Sequence, residues 1–242
     1  MKAIVVGANG AMGKLIDGLL GDRVAGRVSL DGENGVPKNF AELGKVDADV
    51  IIDFSHHSAV SEVLAAARAL HCGVVIGTTG HTREEKQLIY DAAEQLPVFF
   101  TGNMSLGIAV LCKLVKQAVT CFPDADVEIV EIHHNRKVDA PSGTAKMLFQ
   151  AVQDVREDAF EHCGRAGEGK RLKNEVGISS LRMGNVVGVH EVHITTESQS
   201  LVLRHEAGNR QMFAQGAVEA AGFLQGKPAG LYTMDQLLEG KL

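Results

Sequence analysis

Short apolar runs alternate with helical patterns over the first hundred residues, and this alternation restricts the fold more than any other feature of the sequence. Each run is short enough for a single strand, and between the runs apolar residues recur at helical spacing. Such alternation is typical of βαβ units, in which helices cover both faces of a parallel sheet with right-handed crossovers. The predicted strands are Ala3–Val6, Val24–Leu30, Val50–Phe54, Val74–Gly77 and Val98–Phe100; the predicted helices are Met12–Leu20, Ser58–Leu70 and Thr82–Leu96, with Ser58 and Thr82 as N-caps. The fold class is therefore α/β, with a doubly wound parallel sheet.

The pattern changes after about Asn103, where β-type segments come to dominate. We predict two domains: residues 1–103 together with 208–242, and residues 104–207 as an α+β unit with an open mixed or antiparallel sheet. The helix near the C-terminus is expected to pack on the first domain. The predicted elements are a helix over Ser105–Cys121, a strand over Val127–His134, a helix over Thr144–Val155, a loop over Glu157–Asn174, strands over Ile178–Met183, Gly188–Thr195 and Ser200–Glu206, and a helix over Gln211–Leu224.

The bulk composition indicates an ordinary globular protein. Of the 242 residues, 45% are hydrophobic and 22% charged, which is enough for one large or two modest domains. The net charge of −6 comes without a Lys/Arg run, so we expect no nucleic-acid partner. No window approaches the ~18 consecutive apolar residues of a membrane span, and the N-terminus has no secretory h-region. We therefore expect no membrane association and a cytoplasmic location, where the four cysteines, which form no Cys-x-x-Cys, are reduced thiols.

A glycine-rich turn lies between the first predicted strand and the first predicted helix. Gly7 can make the tight turn, Gly10 lets a pyrophosphate approach the backbone, and Gly13 lets helix and strand pack closely. The helix N-terminus adds amide donors and a partial positive charge. The spacing is G-x-x-G-x-x-G rather than G-x-G-x-x-G, so the position of the turn carries the prediction. We predict a Rossmann-like dinucleotide site that includes Gly7, Ala8, Asn9, Gly10, Ala11, Met12 and Gly13.

An acidic residue follows the second apolar run, where dinucleotide-binding domains place the carboxylate that binds the adenosine ribose. This residue is Asp31, eighteen positions after Gly13. A carboxylate here repels a 2′-phosphate and favours NADH. Arg27 and Lys38 are close in the sequence, so use of NADPH remains an alternative. Asp31 is also compatible with a solvated turn aspartate in Asp31-Gly32.

Proton donors, cations and an anion-binding helix start occur together after the predicted strand 127–134. Strand alternation sends His133 and His134 to opposite faces if the strand continues through both. Lys137 adds a cation, and Ser142–Thr144 opens a helix, where hydroxyls and free backbone amides can bind a carboxylate. Each group alone also occurs as a surface charge or a helix cap. Their combination favours a substrate site.

The order His-His-x-x-Lys-x-Asp-Ala-Pro-Ser-Gly-Thr-Ala over residues 133–145 resembles the pattern of the dihydrodipicolinate reductases, also called 4-hydroxy-tetrahydrodipicolinate reductases. The likeness runs along most of the chain. Further segments that carry it are Asp49-Val50-Ile51-Ile52-Asp53-Phe54-Ser55, Val75-Ile76-Gly77-Thr78-Thr79-Gly80, Asn103-Met104-Ser105-Leu106-Gly107, Arg182-x-Gly184-x-x-x-Gly188-x-His190, and His205-x-Ala207 leading to Arg210-x-x-Phe213-Ala214.

This resemblance implies an enzyme that uses NADH, NADPH or both to reduce 4-hydroxy-tetrahydrodipicolinate, a small cyclic dicarboxylate, to tetrahydrodipicolinate in lysine and diaminopimelate biosynthesis. It implies that His133 is the general acid, a role suited to a group that can hold a proton near neutral pH. Lys137 is expected to assist proton transfer. The second domain is expected to bind the substrate and form a homotetramer, with no metal. By the same likeness, the substrate-binding residues are His134, Lys137, Ser142, Gly143 and Thr144, and the nicotinamide is lined by Gly77, Thr78, Thr79, Gly102, Asn103 and Met104.

Three positions depart from the commoner family pattern. Ala11 stands where an arginine is usual, Gly102 where a proline is common, and Met104 where an aromatic residue often occurs. The first bears on phosphate binding and NADPH preference. The other two lie beside the expected nicotinamide pocket and bear on affinity.

Other functions fit the sequence less well. A short-chain dehydrogenase or epimerase needs Tyr-x-x-x-Lys, but the two tyrosines are followed four positions later by Glu94 and Gln236. A metal site built from His133, His134, His190 and His193 has no helical His-x-x-x-His pair and no cysteine pair. A catalytically idle dinucleotide sensor is the remaining alternative, and it would need none of the residues of the 133–144 cluster.

Overall fold

The structure, a computed structural model, describes residues 1–241 and divides into two compact units. Met1–Leu106 forms the first unit together with the chain from Gln211 onward, and Gly107–Arg210 forms the second. The functional division predicted for residues 1–103 with 208–242 and for 104–207 stays a prediction.

Strands and helices alternate through most of the described chain. The strands are β1 (Ala3–Val6), β2 (Val24–Val28), β3 (Val50–Asp53), β4 (Gly73–Ile76), β5 (Pro97–Phe100), β6 (Asp126–His133), β7 (Phe160–Cys163), β8 (Glu175–Arg182), β9 (Val189–Thr195), β10 (Ser200–Glu206) and β11 (Gly230–Tyr232). The helices are α1 (Ala11–Leu20), α2 (Phe40–Leu43), α3 (Val60–Leu70), α4 (Arg83–Ala93), α5 (Leu106–Cys121), α6 (Gly143–Gln153), α7 (Gln211–Phe223) and α8 (Met234–Glu239), with short 3₁₀ segments at Gly21–Arg23, Glu33–Gly35 and His57–Ala59.

The first unit is built on a six-stranded parallel sheet in the order β11-β5-β4-β3-β1-β2. Strands β1, β3 and β4 are buried along their whole length because helices cover both faces. Helices α3 and α4 contribute to the apolar core on one face, while α7 packs on α1, β3 and β4. The Rossmann-like doubly wound sheet predicted from the sequence is confirmed, and the chain order reverses beside β1, at the position where such sheets form a ligand crevice.

The second unit contains a five-stranded mixed sheet in the order β10-β9-β6-β8-β7. Strand β6 is parallel to β8 and antiparallel to β9, so the predicted open mixed sheet is also confirmed. The buried residues of β6 alternate along the strand and form one core with α5 and α6. This core positions the C-terminal end of β6 and the start of α6.

Several local predictions differ from the structure. Thr82 caps α4 in a capping box with Glu85, as predicted, but Ser58 does not cap α3, because a 3₁₀ turn capped by His56 precedes that helix. The segment 157–174 is not wholly loop, since β7 lies within it. Strand β6 ends at His133, one residue earlier than predicted. The short elements α2, β11 and α8 were not predicted.

The longest helix within residues 1–241 is α5, with 16 residues. None of the described helices has the length and hydropathy that a transmembrane helix requires.

Candidate active site

The predicted cofactor-binding segments lie at one edge of the parallel sheet. Each follows the C-terminal end of a strand, and the ends of parallel strands meet at the same edge. The structure thus brings together segments that are far apart in the sequence. They are Gly7–Gly13 after β1, Asp31 after β2, Gly77–Thr79 after β4 and Gly102–Met104 after β5.

The turn after β1 is packed too tightly for side chains at two of its glycines. Gly7 has a φ of 80°, and a Cβ there would be 2.3 Å from the carbonyl oxygen of Phe54. A Cβ at Gly13 would be 2.1 Å from the carbonyl oxygen of Gly7. Gly10 precedes α1 without any side-chain cap, so the amides of the first helical turn remain available to an anion. This cradle fits the pyrophosphate of a dinucleotide.

Asp31 is an exposed carboxylate held in a fixed orientation. Asn9 Nδ2 donates to its Oδ1 at 2.6 Å, and the amide of Glu33 donates to the same oxygen at 3.0 Å. The hydrogen bond from Asn9, followed by that from Glu33, lowers the pKa of Asp31. The carboxylate is therefore ionised at neutral pH and suited to accept hydroxyl hydrogen bonds.

The two cations named near Asp31 differ in their surroundings. Arg27 is paired with Asp17 on α1, at 2.6 Å. The side chain of Lys38 instead lies along Gly32, because a Cβ at Gly32 would be 2.4 Å from Lys38 Cε. Lys38 is therefore the cation beside the Asp31 turn.

The segments after β3 and β4 are joined by a buried aspartate that is not among the predicted site residues. Asp53 is fully buried, accepts from Ser55 Oγ at 2.5 Å and accepts from Thr78 Oγ1 at 2.8 Å. Burial raises the pKa of Asp53 against the opposing effect of these hydrogen bonds. Gly77 lies against the Phe54 ring, which a Cβ would contact at 2.2 Å. Asp53 thus fixes Thr78, and Thr79 follows as an exposed residue.

The segment after β5 contains one exposed and one buried residue around Asn103. Gly102 is exposed, whereas Met104 is only 2% exposed and its carbonyl oxygen lies against Gly216 of α7. Asn103 Oδ1 accepts from the amide of Ser105 at 2.8 Å. Within this segment, Gly102 and Asn103 are thus more accessible than Met104.

In the second unit, β6 changes from apolar to polar along one face of the sheet. Val127, Ile129, Glu131 and His133 are all buried, at every second position. The first two belong to the apolar core. The period of the strand therefore places Glu131 and His133 side by side at the end of that core.

Glu131 is the centre of a hydrogen-bond network. Its carboxylate accepts from Arg182 at 2.8 and 3.0 Å, from the amide of Ser142 at 3.2 Å, and is bonded to Nδ1 of His133. Burial favours a higher pKa of Glu131, but the hydrogen bonds from Arg182, Ser180 and His133 outweigh it and lower the pKa. The carboxylate is therefore ionised although it has no exposed surface.

His190 lies beside His133 on the neighbouring strand. The ring centroids are 5.1 Å apart in an edge-on arrangement, and His190 Nε2 is 3.2 Å from Ser142 Oγ. Burial, reinforced by His133, lowers the pKa of His190 to about 4. His190 is therefore neutral at physiological pH and adds no charge beside His133.

His134 and Lys137 lie after the end of β6, so strand alternation no longer determines their directions. His134 is partly exposed; desolvation, followed by the nearby Arg136, lowers its pKa. Lys137 Nζ pairs with Asp139 Oδ1 at 2.7 Å. Lys137 can bind a substrate carboxylate by exchanging this exposed partner for it.

Ser142, Gly143 and Thr144 form the start of α6, as predicted. Ser142 Oγ accepts from the amide of Ala145 at 3.2 Å and caps the helix. Gly143 is exposed and Thr144 half-buried in the first turn. Because Ser142 contacts both Glu131 and His190, the predicted anion-binding helix start is linked to His133 through these two residues.

Glu131, Arg182 and Asp53 were not among the site residues predicted from the sequence, and His190 was considered there only as a metal ligand. For Glu131 the available signal was its place in the alternating pattern of β6, where an acid occupies a core position. Arg182 is opposite His133 in the register of β8, a pairing that only the folded sheet reveals.

One group of described residues has the composition of a metal site. Donor atoms of Glu131, His133 and His190 lie within 4.8 Å of one another. The guanidinium of Arg182 already pairs with both carboxylate oxygens, and its positive charge opposes a cation at that position. His193 is bonded to Glu191 instead. The expectation of no metal stays a prediction.

Comparisons with known proteins cover both units. Residues 1–104 match the family model "Dihydrodipicolinate reductase, N-terminus", and residues 107–238 match "Dihydrodipicolinate reductase, C-terminus". The 4-hydroxy-tetrahydrodipicolinate reductase of Alkaliphilus metalliredigens is 42% identical over 243 residues, covering 98% of this chain and 99% of that protein. The enzyme of the same name from Alkaliphilus oremlandii is 39% identical over 244 residues, covering 98% of each chain.

A solved structure extends the likeness to three dimensions. The dipicolinate-bound dihydrodipicolinate reductase from Paenisporosarcina sp. TG-14 aligns with a TM-score of 0.79 at 26% identity, over 96% of this chain and 97% of that one. These matches confirm the resemblance found in the motifs, and the chain belongs to the dihydrodipicolinate reductase family.

Proposed function

We propose that the protein reduces 4-hydroxy-tetrahydrodipicolinate to tetrahydrodipicolinate in lysine and diaminopimelate biosynthesis. The substrate gains a hydride and a proton and loses its hydroxyl as water. The reduced nicotinamide, when bound, supplies the hydride. The observation that carries the proposal is the buried His133, held by an ionised Glu131 next to the helix start at Ser142.

His133 is the proton donor in this reaction. A histidine exchanges protons near neutral pH, and a positioned general acid typically contributes about 10²–10⁴ in rate. His190 remains neutral beside it, because burial lowers its pKa to about 4. The proton of His133 is thus delivered without a second charged imidazole competing for the same role.

The substrate carboxylates are bound by Lys137, His134 and the residues Ser142, Gly143 and Thr144. Lys137 provides a positive charge, which also assists proton transfer by polarising the bound ring. The first turn of α6 provides amide donors aligned with the positive end of the helix dipole. Lys137 and the first turn of α6 are thus two separate anion-binding elements, one for each carboxylate of a dicarboxylate.

The turn Gly7–Gly13 and Asp31 would hold the dinucleotide, and its nicotinamide would be lined by Gly77, Thr78, Thr79, Gly102, Asn103 and Met104. We propose that NADH is preferred, because Asp31 is ionised and aimed by Asn9 while Arg27 is occupied by Asp17. NADPH is accepted through Lys38, which lies along the same turn.

The direct test is an assay of reduced-nicotinamide oxidation, with substrate generated in place from pyruvate and aspartate semialdehyde by a coupled synthase. Wild type, His133→Ala and Lys137→Ala are compared, with the edge-strand variant His162→Ala as a matched control. We expect turnover to fall by about 10²–10⁴ in His133→Ala, with dinucleotide binding preserved, and the control to match wild type. Dinucleotide binding without oxidation of either NADH or NADPH by the wild type would overturn the proposal and favour a dinucleotide sensor.

We further propose a cytoplasmic homotetramer assembled through the sheet of the second unit. Its edge strand β10 exposes Leu201 and Val202, at 38% and 48%. Light scattering after size-exclusion chromatography is expected to give four times the mass of 25.8 kDa. Val202→Glu is expected to reduce that mass.

A further inference from the structure

We propose that Glu131 is the positioning residue for His133: it holds the proton on Nδ1 and thereby reserves Nε2 for proton exchange with the substrate. The inference rests on the proposed function, since it takes His133 as the general acid. Glu131 is not among the site residues predicted from the sequence.

Glu131 and His133 share a hydrogen bond at Nδ1 of the imidazole. An ionised carboxylate can only accept hydrogen bonds, so the Nδ1 of His133 must carry the proton that it shares with Glu131. This holds both before and after Nε2 has given up its proton. The neutral ring is therefore kept as the Nδ1–H tautomer, whose Nε2 can accept the next proton.

Glu131 cannot turn away from His133. Arg182 donates to both carboxylate oxygens, at 2.8 and 3.0 Å, and the amide of Ser142 adds a third donor at 3.2 Å. The side chain has no exposed surface. Bidentate pairing of this kind fixes the plane of a carboxylate as well as its position. Arg182 also donates to the carbonyl oxygen of Asp139 at 2.7 Å, which ties the Lys137 loop to the same assembly.

The other edge of the imidazole contacts a glycine. Gly188 lies next to Nε2, since a Cβ at that position would be 3.1 Å away. The charged and titratable groups around the ring are Glu131 on the same strand, His134 directly after that strand, Arg182 on β8, His190 on β9 and, more distantly, Lys137. Among the described residues, only Glu131 forms a hydrogen bond with the ring. The two nitrogens therefore have separate tasks.

The test replaces the carboxylate by an amide. Glu131→Gln removes the charge and can either donate to Nδ1 or accept from it, so the ring is free to adopt the Nε2–H tautomer, which cannot take up a proton there. Because this change leaves Arg182 without its partner, Glu131→Gln/Arg182→Gln is made in parallel. Glu131→Asp retains the charge and serves as the conservative rescue.

Two readouts are combined on the full chain. Steady-state kinetics with the coupled substrate give kcat and KM separately, and ¹⁵N-histidine labelling reports the tautomer of His133, assigned with His133→Asn. We expect Glu131→Gln and the double variant to lose about 10²–10⁴ in kcat, to retain the KM for dinucleotide, and to shift the ring toward Nε2–H. Glu131→Asp is expected to keep the Nδ1–H signal and recover part of kcat.

The outcomes separate this inference from the function on which it rests. An unchanged tautomer in both Gln variants would overturn it, even if kcat fell, because Glu131 would then be supporting the fold alone. Wild-type kcat in those variants would also overturn it. If His133→Ala instead kept full activity, the proton-donor role itself would fail, while the tautomer signals would still report whether Glu131 orients the ring.

Discussion

Gly188 lies against the Nε2 edge of His133, so that a Cβ at residue 188 would be 3.1 Å from that nitrogen. The same Cβ would be 3.6 Å from Cε1 of His190. The space at the reactive edge of the imidazole therefore depends on the absence of a single methyl group.

We expect Gly188→Ala to lower kcat/KM by about 10²-fold, since a displacement of ~1 Å at a reacting group can cost that much. The methyl group would press on His133 without adding a charge. The matched control is Gly169→Ala in the same unit, where a Cβ would have no described atom within 4 Å. Wild-type kcat/KM in Gly188→Ala would show that this edge of the ring does not face the substrate.

Gly13→Ala is predicted to weaken dinucleotide binding and to destabilise the protein. Its Cβ would be 2.1 Å from the carbonyl oxygen of Gly7, and backbone atoms cannot move aside cheaply. Overpacking of this kind costs roughly 1–3 kcal/mol. Gly18→Ala on the same helix has no described atom within 4 Å of its Cβ and should instead stabilise the helix. Urea midpoints and fluorescence titrations with NADH measure both effects, and equal behaviour of the two variants would refute the prediction.

Asp31→Asn is expected to raise the KM for NADH by about tenfold, because a hydrogen bond to a charged group contributes about 1.5–3 kcal/mol and the amide keeps part of it. The KM for NADPH should change less or fall, since a repulsive charge is removed. Lys38→Gln is expected to raise the KM for NADPH alone. If each variant changed the KM for NADH and the KM for NADPH by the same factor, this turn would not have a ribose-binding role.

His190 should make stability depend on pH. Burial lowers its pKa to about 4 in the folded protein, whereas an unfolded histidine titrates near ~6.5. Below that value the unfolded chain binds a proton that the folded protein excludes, so stability falls as the pH falls toward 4. The free energy of unfolding is therefore lower by about 2 kcal/mol at pH 5 than at neutral pH. The measurement is the free energy of unfolding from urea titrations at pH 7 and pH 5. His190→Gln, which can still bond to Ser142, should show a smaller decrease in this free energy than the wild type. The control His162→Gln should show the same decrease as the wild type. Identical pH curves for wild type and His190→Gln would contradict the burial argument.

The elements with strong local signals were predictable from the sequence. Thr82 has Glu85 three residues later, the pattern of a capping box, and the structure contains that box. Ser58 lacked such a partner and proved not to cap its helix. The strands β7 and β11 span only four and three residues, which is too short to show a clear alternation of apolar and polar residues. They form because β8 and β5 offer free edges, and this is information from tertiary structure.

The candidate site likewise contains residues with a local sequence signal and residues that only the tertiary structure reveals. The glycine turn was recognisable because it lies between a strand and a helix, and Gly7 and Gly13 indeed have no room for side chains. Glu131 had a local signal, a polar residue at a buried position of an alternating strand. Its partner Arg182 comes from a strand whose register could not be read from the sequence.

The first unit is assembled from two segments separated by the whole of the second, and β11 pairs with β5 across that gap. During synthesis on the ribosome, β5 is therefore an open edge for as long as residues 107–210 are being made. Open edges are templates for pairing with other chains, and nascent domains are prone to aggregation while they are incomplete. We expect the second unit, which is continuous in sequence, to mature first. The nascent first unit then keeps this unpaired strand edge until β11 has been made, and we expect chaperones to bind it during that interval.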